Sequence, residues 1–369
     1  MTETPDTAAA RLLHLRGQSL AKGDPISPPI TMASMFHLPG TPDGSPFYGR
    51  ATQPTWQATE HLLSHLENAP SLLFPSGMGA ISAALFATLK AGDRLLVPSD
   101  GYYNTRRLGE RFLARLGVEV VERPTRSFGA GGFEGFAVVF IETPSNPGLD
   151  LINLAETCAA IRAAGGLSVV DNTTMTPLGQ RPLDLGADIV VASDTKAPGG
   201  HSDILMGHVS SRDATLMESV NSWRTVAGGI PGPMEAWLLH RSLETLHLRF
   251  AAMCATAEEI APKLAAHPAV QSLRYPGLPG DPSHTLAKTQ MVTNGFLIGL
   301  TLKDEETAEK LINTCPFLRP ATSFGGIHSS AERRARWGDD TTGGFIRLSV
   351  GTEPADPLWQ ALDAALNAL

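Results

Sequence analysis

Residues 193–203 read SDTKAPGGHSD, and they directly follow Ala187–Ala192, a short apolar run that predicts a buried strand. A lysine at the end of such a strand is unusual, because an ammonium group beside a core is costly without a partner. Ser193 and Thr195 flank Lys196 at a spacing of two, so their hydroxyls point to one side of an extended chain. The pattern indicates an amine held for covalent chemistry beside hydroxyls that bind a phosphate. The alternative is a surface lysine in a loop.

A carboxylate follows the preceding apolar run in the same way. Gly166–Val170 predicts a strand, and Asp171 comes directly after it. In open α/β sheets, ligands bind in the crevice at the carboxyl ends of the strands. A lysine and an aspartate there are the pair that pyridoxal 5′-phosphate (PLP) requires, since Lys196 can form the Schiff base and Asp171 can keep the pyridine nitrogen protonated. Such a charge-assisted bond is worth about 1.5–3 kcal/mol, or roughly one to two pKa units.

Two motifs give the chain a resemblance to a known family. The run S-D-T-K-x-x-x-G-H-S-D, with V-V-D-N-T at residues 169–173 before it, resembles the Cys/Met-metabolism family of PLP-dependent enzymes. The likeness extends from about Pro28 to Glu353, with the motifs in the family's order. It implies a fold-type I α/β architecture, with a mostly parallel sheet in a large domain and a smaller α+β C-terminal domain. It also adds Thr173 to the residues that hold PLP.

Composition excludes several other classes of protein. The 369 residues suffice for two domains with full cores, and a net charge of −8 argues against a nucleic-acid partner. The histidines have no metal-ligand spacing, so we expect no metal site. The three cysteines have no paired spacing, so we expect the protein in the reducing cytoplasm. The N-terminus has no signal-peptide pattern and no run approaches a membrane span, so we expect no membrane association.

Three regions are expected along the chain. Residues 1–45, rich in Pro and Gly, predict an extended arm, residues 46–233 a PLP-binding large domain, and residues 234–369 a smaller domain. The smaller domain is expected to begin with a long linking helix, Met234–Ala266. A helix over Arg107–Leu116 and a strand over Ile204–Ser210 are predicted within the large domain.

A glycine turn predicts the phosphate site. Gly77 and Met78 lie in a turn between a predicted strand and a predicted helix, and such a helix start presents free N–H groups to an anion. Ser193 and Thr195 would complete this cup. In the family, a Tyr-x-Arg element like Tyr48-Gly49-Arg50 reaches the neighbouring subunit's cofactor phosphate, and the tyrosine also lies near substrate. A solvated turn is the alternative for these two residues.

Further roles follow from the resemblance alone. Tyr102 aligns with the tyrosine that stacks on the pyridine ring and is a candidate proton donor, and Arg107 with an arginine near the substrate's distal end. An interface or core aromatic is the alternative for this tyrosine. The chain departs from the family at Tyr103 and Asn104, where two glycines are usual, which adds bulk beside the ring.

The remaining assignments concern the substrate and the cofactor's oxygen. Asn146, in E-T-P-S-N-P, aligns with an asparagine that binds the cofactor's phenolic oxygen; a turn asparagine is the alternative. Arg347, in an apolar strand, is expected to bind the substrate's α-carboxylate, because an amino-acid enzyme needs a fixed fork for that group. A snorkelling edge residue is the alternative. Ser323, in S-F-G-G, is expected to contact substrate.

The resemblance implies cleavage of a carbon–sulfur bond in a sulfur amino acid by a homotetramer, a dimer of dimers with shared active sites. The expected activity is that of a cystathionine γ-lyase. The alternatives are a methionine γ-lyase, a cystathionine γ-synthase or β-lyase, or a catalytically silent assembly protein of the same fold. Phe47 and His328 replace the acids usual in cystathionine γ-lyases. The basic stretch 333–337 predicts either a solvated loop or a contact to an anionic substrate end.

Overall fold

The computed structural model describes residues 5–369, so residues 1–4 of the predicted arm lie outside the described part of the chain. The elements in chain order are α1 (Pro5–Leu12), α2 (Pro54–Glu67), β1 (Ser71–Phe74), α3 (Gly77–Thr88), β2 (Arg94–Pro98), α4 (Tyr103–Leu108), β3 (Glu119–Arg123), β4 (Val138–Glu142), α5 (Leu154–Ala163), β5 (Leu167–Asp171), α6 (Thr176–Gly179), β6 (Ile189–Ala192), β7 (Gly207–Ser210), α7 (Ala214–Ala227), α8 (Pro233–Leu243), α9 (Leu246–Ala266), β8 (Ser272–Arg274), α10 (His284–Gln290), β9 (Leu297–Thr301), α11 (Glu305–Thr314), β10 (Arg319–Pro320), β11 (Ser330–Arg333), β12 (Phe345–Ser349) and α12 (Ala355–Asn367).

The larger sheet has seven strands in the order β1-β7-β6-β5-β4-β2-β3. Strands β3, β2, β4, β5 and β6 are parallel, whereas β7 runs antiparallel to both of its neighbours. The predicted, mostly parallel sheet is therefore confirmed. Because parallel strands point the same way, the segments that follow β2, β4, β5 and β6 emerge along one edge of the sheet.

Apolar side chains cover both faces of this sheet. Alternate residues of a strand point to opposite faces. Val169 and Val191 accordingly pack on one face with α3, while Val170 and Val190 pack on the other with α5. Continuous apolar strands are the expected consequence of burial on both sides.

The second sheet has five strands in the order β10-β11-β12-β9-β8, mostly antiparallel, with its own apolar core against α9, α11 and α12. Its α+β character agrees with the sequence-based expectation. Strands β10 and β11 were not anticipated, because neither is an apolar run. In this sheet β12 places Arg347 directly opposite Glu332 of β11.

Three predicted elements differ in the structure. The single helix Met234–Ala266 is two helices, since the Ser242 carbonyl accepts a bond from the Arg249 guanidinium (2.7 Å) where the chain turns. The strand predicted over Ile204–Ser210 begins only at Gly207, because the Met206 backbone instead bonds Thr195 (3.1 Å from the Thr195 N–H to the Met206 carbonyl).

The helix predicted over Arg107–Leu116 begins earlier, at Tyr103, and becomes irregular after Leu108. The Glu142 carboxylate accepts the Tyr102 N–H (2.7 Å) at its start, where a negative charge favours a helix. Within residues 5–369, no helix combines the length and apolarity that a membrane crossing requires.

Candidate active site

The segments that leave the carboxyl edge of the large sheet meet the second sheet around a cavity of about 570 Å³. Its wall contains most of the side chains singled out in the sequence, and these are Gly77, Met78, Tyr102, Tyr103, Asn146, Asp171, Thr173, Ser193, Thr195, Lys196, Ser323 and Arg347. The amine and the carboxylate on which the sequence interpretation depends thus face one cavity.

Lys196 is held at the floor of this cavity by a rigid turn. Its N–H donates to the Ser193 carbonyl (3.2 Å), and the Arg249 guanidinium of α9 donates to the carbonyls of Ala197 (2.6 Å) and Pro198 (3.1 Å). Because Arg249 is itself buried, these carbonyls are satisfied without water. Arg249, a residue far along the chain, thus fixes the lysine segment.

The pKa of the Lys196 amine is well below that of an ordinary lysine. Burial first, and then the nearby Arg347 charge, lower its pKa from 10.5 to about 8. Asp171 and Glu332 oppose this shift, and the Phe324 ring lies 5.3 Å from the amine. A large part of the amine is therefore neutral near pH 8, as a base or nucleophile must be.

Asp171 is a buried carboxylate at the end of β5. Its Oδ1 accepts the Thr173 N–H at 2.9 Å. Burial raises the pKa of Asp171, and the bonds to Thr173 and the Lys196 charge oppose that rise. The Thr173 hydroxyl accepts the Ser193 N–H (2.8 Å) and so ties the β5 and β6 segments together. A cation placed against Asp171 would favour its ionised form.

The start of α3 forms an anion cradle. The Ser76 hydroxyl caps the helix by accepting the Gly79 N–H (3.0 Å), while helix geometry leaves the first N–H groups, those of Gly77 and Met78, without an intrahelical acceptor. A Cβ at Gly77 would lie 2.6 Å from the Ser193 Cβ, so only glycine fits here. The Thr195 hydroxyl is already bonded to the Met206 backbone.

Glu142, at the end of β4, organises one wall of the cavity and was given no role by the sequence. One carboxylate oxygen accepts the Tyr102 N–H (2.7 Å) and the other accepts the Asn146 N–H (2.9 Å). Burial, and then the Asp171 charge, raises the pKa of Glu142 to about 8. Its place at a strand end is the same signal that identified Asp171.

The departure from the family pattern at Asn104 acts on Tyr102. The Asn104 side-chain amide donates to the Tyr102 hydroxyl at 2.9 Å. Burial raises the pKa of Tyr102, and this bond lowers it in part. The Tyr103 ring lies 5.1 Å from the Tyr102 ring and lines the cavity, whereas Arg107 stacks on the outer side of Tyr103 and is exposed.

Arg347 projects from β12 into the cavity and is buried. Its guanidinium donates to Asn146 Oδ1 (2.6 Å), the Thr322 carbonyl (2.9 Å) and Glu332 Oε2 (3.0 Å). Burial, followed by the neighbouring Arg334 charge, lowers the pKa of Arg347 to about 10. The side chain is therefore a preorganised cation and not the snorkelling edge residue that was the alternative.

Five residues predicted for cofactor, substrate or specificity lie outside the cavity of the single chain, and the exposed Arg107 is one of them. Tyr48 and Arg50 are exposed, and the Arg50 guanidinium donates to the Thr225 carbonyl (2.7 Å). Phe47 and His328 are also exposed. The predicted contact of Tyr48 and Arg50 with a neighbouring subunit's cofactor stays a prediction.

The basic stretch 333–337 is only partly solvated, since Arg336 and Trp337 are exposed and Arg334 is buried. Arg334 is 3% exposed and lines the cavity, and it forms ion pairs with Glu332 and Asp339. Arg333 pairs instead with Glu305 of α11 (2.6 Å). The sequence missed this arrangement, because it depends on the pairing of β11 with β12.

Residues 10–367 match the family model described as Cys/Met metabolism PLP-dependent enzyme. A Streptomyces coelicolor protein with the provisional name cystathionine gamma-lyase is 46% identical over 94% of this chain and 90% of its own length. Cystathionine gamma-lyase of Bacillus subtilis is 36% identical over 93% and 94%. Cystathionine gamma synthase of Xanthomonas oryzae pv. oryzae, solved with aminoacrylate and cysteine, superposes with a TM-score of 0.92 at 32% identity, covering 100% of this chain and 98% of that one. Other similar proteins are named cystathionine beta-lyase and L-methionine gamma-lyase.

The chain therefore belongs to the Cys/Met metabolism family of PLP-dependent enzymes. Its fold is the fold-type I architecture of that family, its cofactor is PLP, and its substrate is a small molecule. The glycine cradle at Gly77, the buried Asp171 carboxylate and the Lys196 amine face one cavity and fit the phosphate, ring nitrogen and aldehyde of PLP.

The lowered pKa of Lys196 has a measurable consequence in the cofactor-free protein. Only the neutral amine reacts with an acylating reagent, so labelling of Lys196 should rise with pH, reach half of its maximum at about pH 8 and level off above that pH. Competitive labelling followed by peptide mass spectrometry measures this profile, with the exposed Lys303 as the internal control. Labelling of Lys196 that keeps rising towards 10.5, the ordinary value, would contradict the effect of burial.

The cradle at Gly77 predicts a cofactor-binding defect in Gly77→Ala. The added Cβ must displace Ser193, so the dissociation constant of PLP should rise on the order of tenfold or more, the equivalent of about 1.4 kcal/mol. Absorbance titration of the cofactor-free protein with PLP measures it. Gly129→Ala is the control, because the Cβ there meets open space. Equal affinities of the two variants would rule out a cradle at this turn.

Proposed function

We propose that the protein is a carbon–sulfur lyase of sulfur amino-acid metabolism, and that cystathionine γ-lyase is its activity: cystathionine and water give cysteine, 2-oxobutanoate and ammonia. The observation that carries the proposal is the single cavity shared by a low-pKa lysine, a buried aspartate and a buried arginine. The names of the similar proteins support it, and they include γ-lyases, β-lyases and a γ-synthase.

The chain's own residues divide the work of binding. Gly77, Met78 and Ser193 would hold the phosphate of PLP, and Asp171 its ring nitrogen. Thr173 and Thr195 support this site by fixing the Ser193 and Met206 backbones. Bound there, PLP supplies an electron-accepting ring that stabilises negative charge on the substrate.

Arg347 would bind the substrate's α-carboxylate with a fixed guanidinium fork. Asn146 is a candidate for the cofactor's phenolic oxygen, since its carbonyl oxygen is engaged by Arg347 and its amide remains as a donor. Ser323 contributes to the same wall. These groups orient the substrate's α-proton towards Lys196.

Proton movement falls to two residues. The neutral Lys196 amine takes the α-proton, and the same amine can move a proton from the β-carbon. When the bond between the γ-carbon and sulfur breaks, the sulfur takes a proton and cysteine leaves; Tyr102, held by Asn104, is placed to supply that proton. The four-carbon product then reacts with water and loses ammonia to give 2-oxobutanoate.

Methionine γ-lyase is the second candidate activity. Phe47 and His328 provide no carboxylate for the distal ammonium of cystathionine, which favours a smaller, uncharged thioether such as methionine. A β-lyase would release pyruvate from cystathionine, and a γ-synthase would require an acylated homoserine with cysteine.

We further propose a homotetramer in the cytoplasm, built as a dimer of dimers. Large apolar residues of the N-terminal arm support an intersubunit contact, since Ile26 is 80% exposed and Met32 and Met35 are each 75% exposed. The domain boundaries at residues 45 and 233 belong to the same proposal. The second boundary lies where α8 begins.

Product analysis tests the proposed activity. With cystathionine we expect 2-oxobutanoate and cysteine, and borohydride should fix PLP to Lys196, as peptide mass spectrometry would show. Lys196→Ala should lower kcat by about 10²-fold or more, because general-base catalysis at that atom is lost, whereas Lys303→Ala should not. Pyruvate as the keto acid would instead indicate a β-lyase. Turnover of methionine but not of cystathionine would indicate a methionine γ-lyase.

The shared-site proposal predicts that Arg50→Ala weakens PLP binding. Loss of a guanidinium–phosphate contact should raise the dissociation constant of PLP about 10- to 100-fold. Equilibrium dialysis measures the constant, and Arg115→Ala, another exposed arginine, is the control. Unchanged retention of PLP in Arg50→Ala would count against a site completed by the neighbouring subunit.

A further inference from the structure

A second buried guanidinium lines the cavity beside Arg347. Arg334 follows β11 at the start of a short 3-10 helix, Arg334–Trp337, and only 3% of its surface is exposed. It belongs to the wall of the cavity that contains Lys196 and Tyr102. The proposed function needs one arginine for the α-carboxylate, so Arg334 is left without a role in that reaction.

The guanidinium of Arg334 is fixed on one side and has donors left over. Its Nε donates to Asp339 Oδ2 (2.7 Å) and its Nη1 to Glu332 Oε2 (2.8 Å), and Nη2 lies 2.6 Å from Asp339 Oδ2. A guanidinium has five N–H donors, so these contacts occupy three of them. Two N–H groups remain for a ligand in the cavity.

The charges around Arg334 favour an anion. Glu332 is shared by three guanidinium groups, because Arg336 and Arg347 bind it as well. With Asp339, two carboxylates face three arginines, which leaves one positive charge in the cluster. Burial would lower the pKa of Arg334, but Asp339 and Glu332 more than offset that effect and keep the group charged.

Arg334 lies close to the place where sulfur chemistry would occur. It shares Glu332 Oε2 with Arg347, and its charge acts on the Tyr102 hydroxyl, the candidate proton donor to the leaving sulfur. A group attached to that sulfur would therefore be within reach of Arg334. Methionine has only a methyl group there, whereas cystathionine ends in a carboxylate.

We propose that Arg334 is a specificity-determining residue that binds a second carboxylate, carried by the thiol part of the substrate. The substrates are then sulfur amino acids whose departing thiol is itself a carboxylic acid. This inference rests on the proposed carbon–sulfur lyase function and narrows its substrate class. It assigns the anion contact to the second sheet and not to Arg107, which is exposed in the chain.

Two substrates that differ only in one charge test the proposal. S-(2-carboxyethyl)-homocysteine and its side-chain amide have nearly the same shape, and both would release 2-oxobutanoate. The wild-type holoenzyme should favour the acid in kcat/KM by about 10- to 100-fold, the effect of a hydrogen bond to a charged group. Arg334→Gln should remove that preference, because kcat/KM for the acid should fall by about 10- to 100-fold more than kcat/KM for the amide.

Arg336→Gln is the matched control. Arg336 binds the same Glu332, but its side chain is partly exposed and lies outside the cavity wall, so the preference for the acid should persist. Arg334→Lys is the second variant, for the case that Arg334→Gln fails to fold. It keeps a positive charge beside Glu332 and Asp339. It should retain only part of the preference, since the fork is lost.

Three results would overturn the proposal: no preference in the wild type, a preference that survives in both Arg334 variants, or an equal loss with both substrates. The last result would indicate a structural role only. Calorimetric binding of the same two compounds to the holoenzyme provides a readout that does not need turnover. The lyase function itself fails if cystathionine gives no keto acid. In that case, tighter binding of the acid than of the amide by the wild type, lost in Arg334→Gln, still decides the inference.

Discussion

An ammonium group that leaves water for a protein cavity loses hydration, and the Lys196 amine loses much of it at the edge of the large sheet. That desolvation is the main reason for its pKa of about 8, and the arrangement of the site follows from it. A neutral amine can act as a nucleophile and base near neutral pH, which a solvated lysine does poorly. Asp171 and Glu332 oppose the shift, so the amine remains within reach of protonation.

Such a buried amine requires a backbone that cannot relax towards solvent, and the helix α9 provides it. Arg249 reaches from α9 to the carbonyls of Ala197 and Pro198, directly after the lysine. A Cβ at Gly325, which has a φ of +77°, would lie 2.6 Å from the Ala197 N atom, so the segment between β10 and β11 also approaches this turn closely. The position of Lys196 thus depends on contacts made by residues far along the chain, although the strand that precedes it is local.

The difference between local signals and contacts from distant residues explains how much could be predicted from the sequence. The parallel sheet, Lys196, Asp171 and the Gly77 turn follow from strand ends and a glycine, which are local signals. Glu142 carries the same signal and could have been identified by it. The helix that begins at Tyr103 and the unexpected strand β11 depend instead on distant segments, as the bond from the Tyr102 N–H to Glu142 and the pairing of β11 with β12 show.

The substrate side of the cavity was harder to foresee for the same physical reason. Arg334 lies in a run of arginines that resembles a solvated loop, and only the pairing of β11 with β12 shows that Glu332 faces Arg347. The ionised Glu332 carboxylate lies between guanidinium groups and lets these positive charges share one wall. Burial alone would raise the pKa of Glu332, but Arg347 and the other donors more than reverse that effect. Tyr48 and Arg50 pose a different problem, since both are exposed in the single chain and the contact proposed for them is with another subunit.

The reactive groups and the specificity groups consequently belong to different parts of the fold. Lys196 and Asp171 follow strands of the large sheet, where their position depends on packing that buries both faces. Arg347 and Arg334 belong to the second sheet, where cross-strand ion pairs set their direction. A change in the segment 330–339 would alter the cationic wall, whereas Lys196 follows a strand of the other sheet. Under the proposed function, the choice among sulfur amino acids would then follow the charges of the second sheet, and the reaction centre would stay the same.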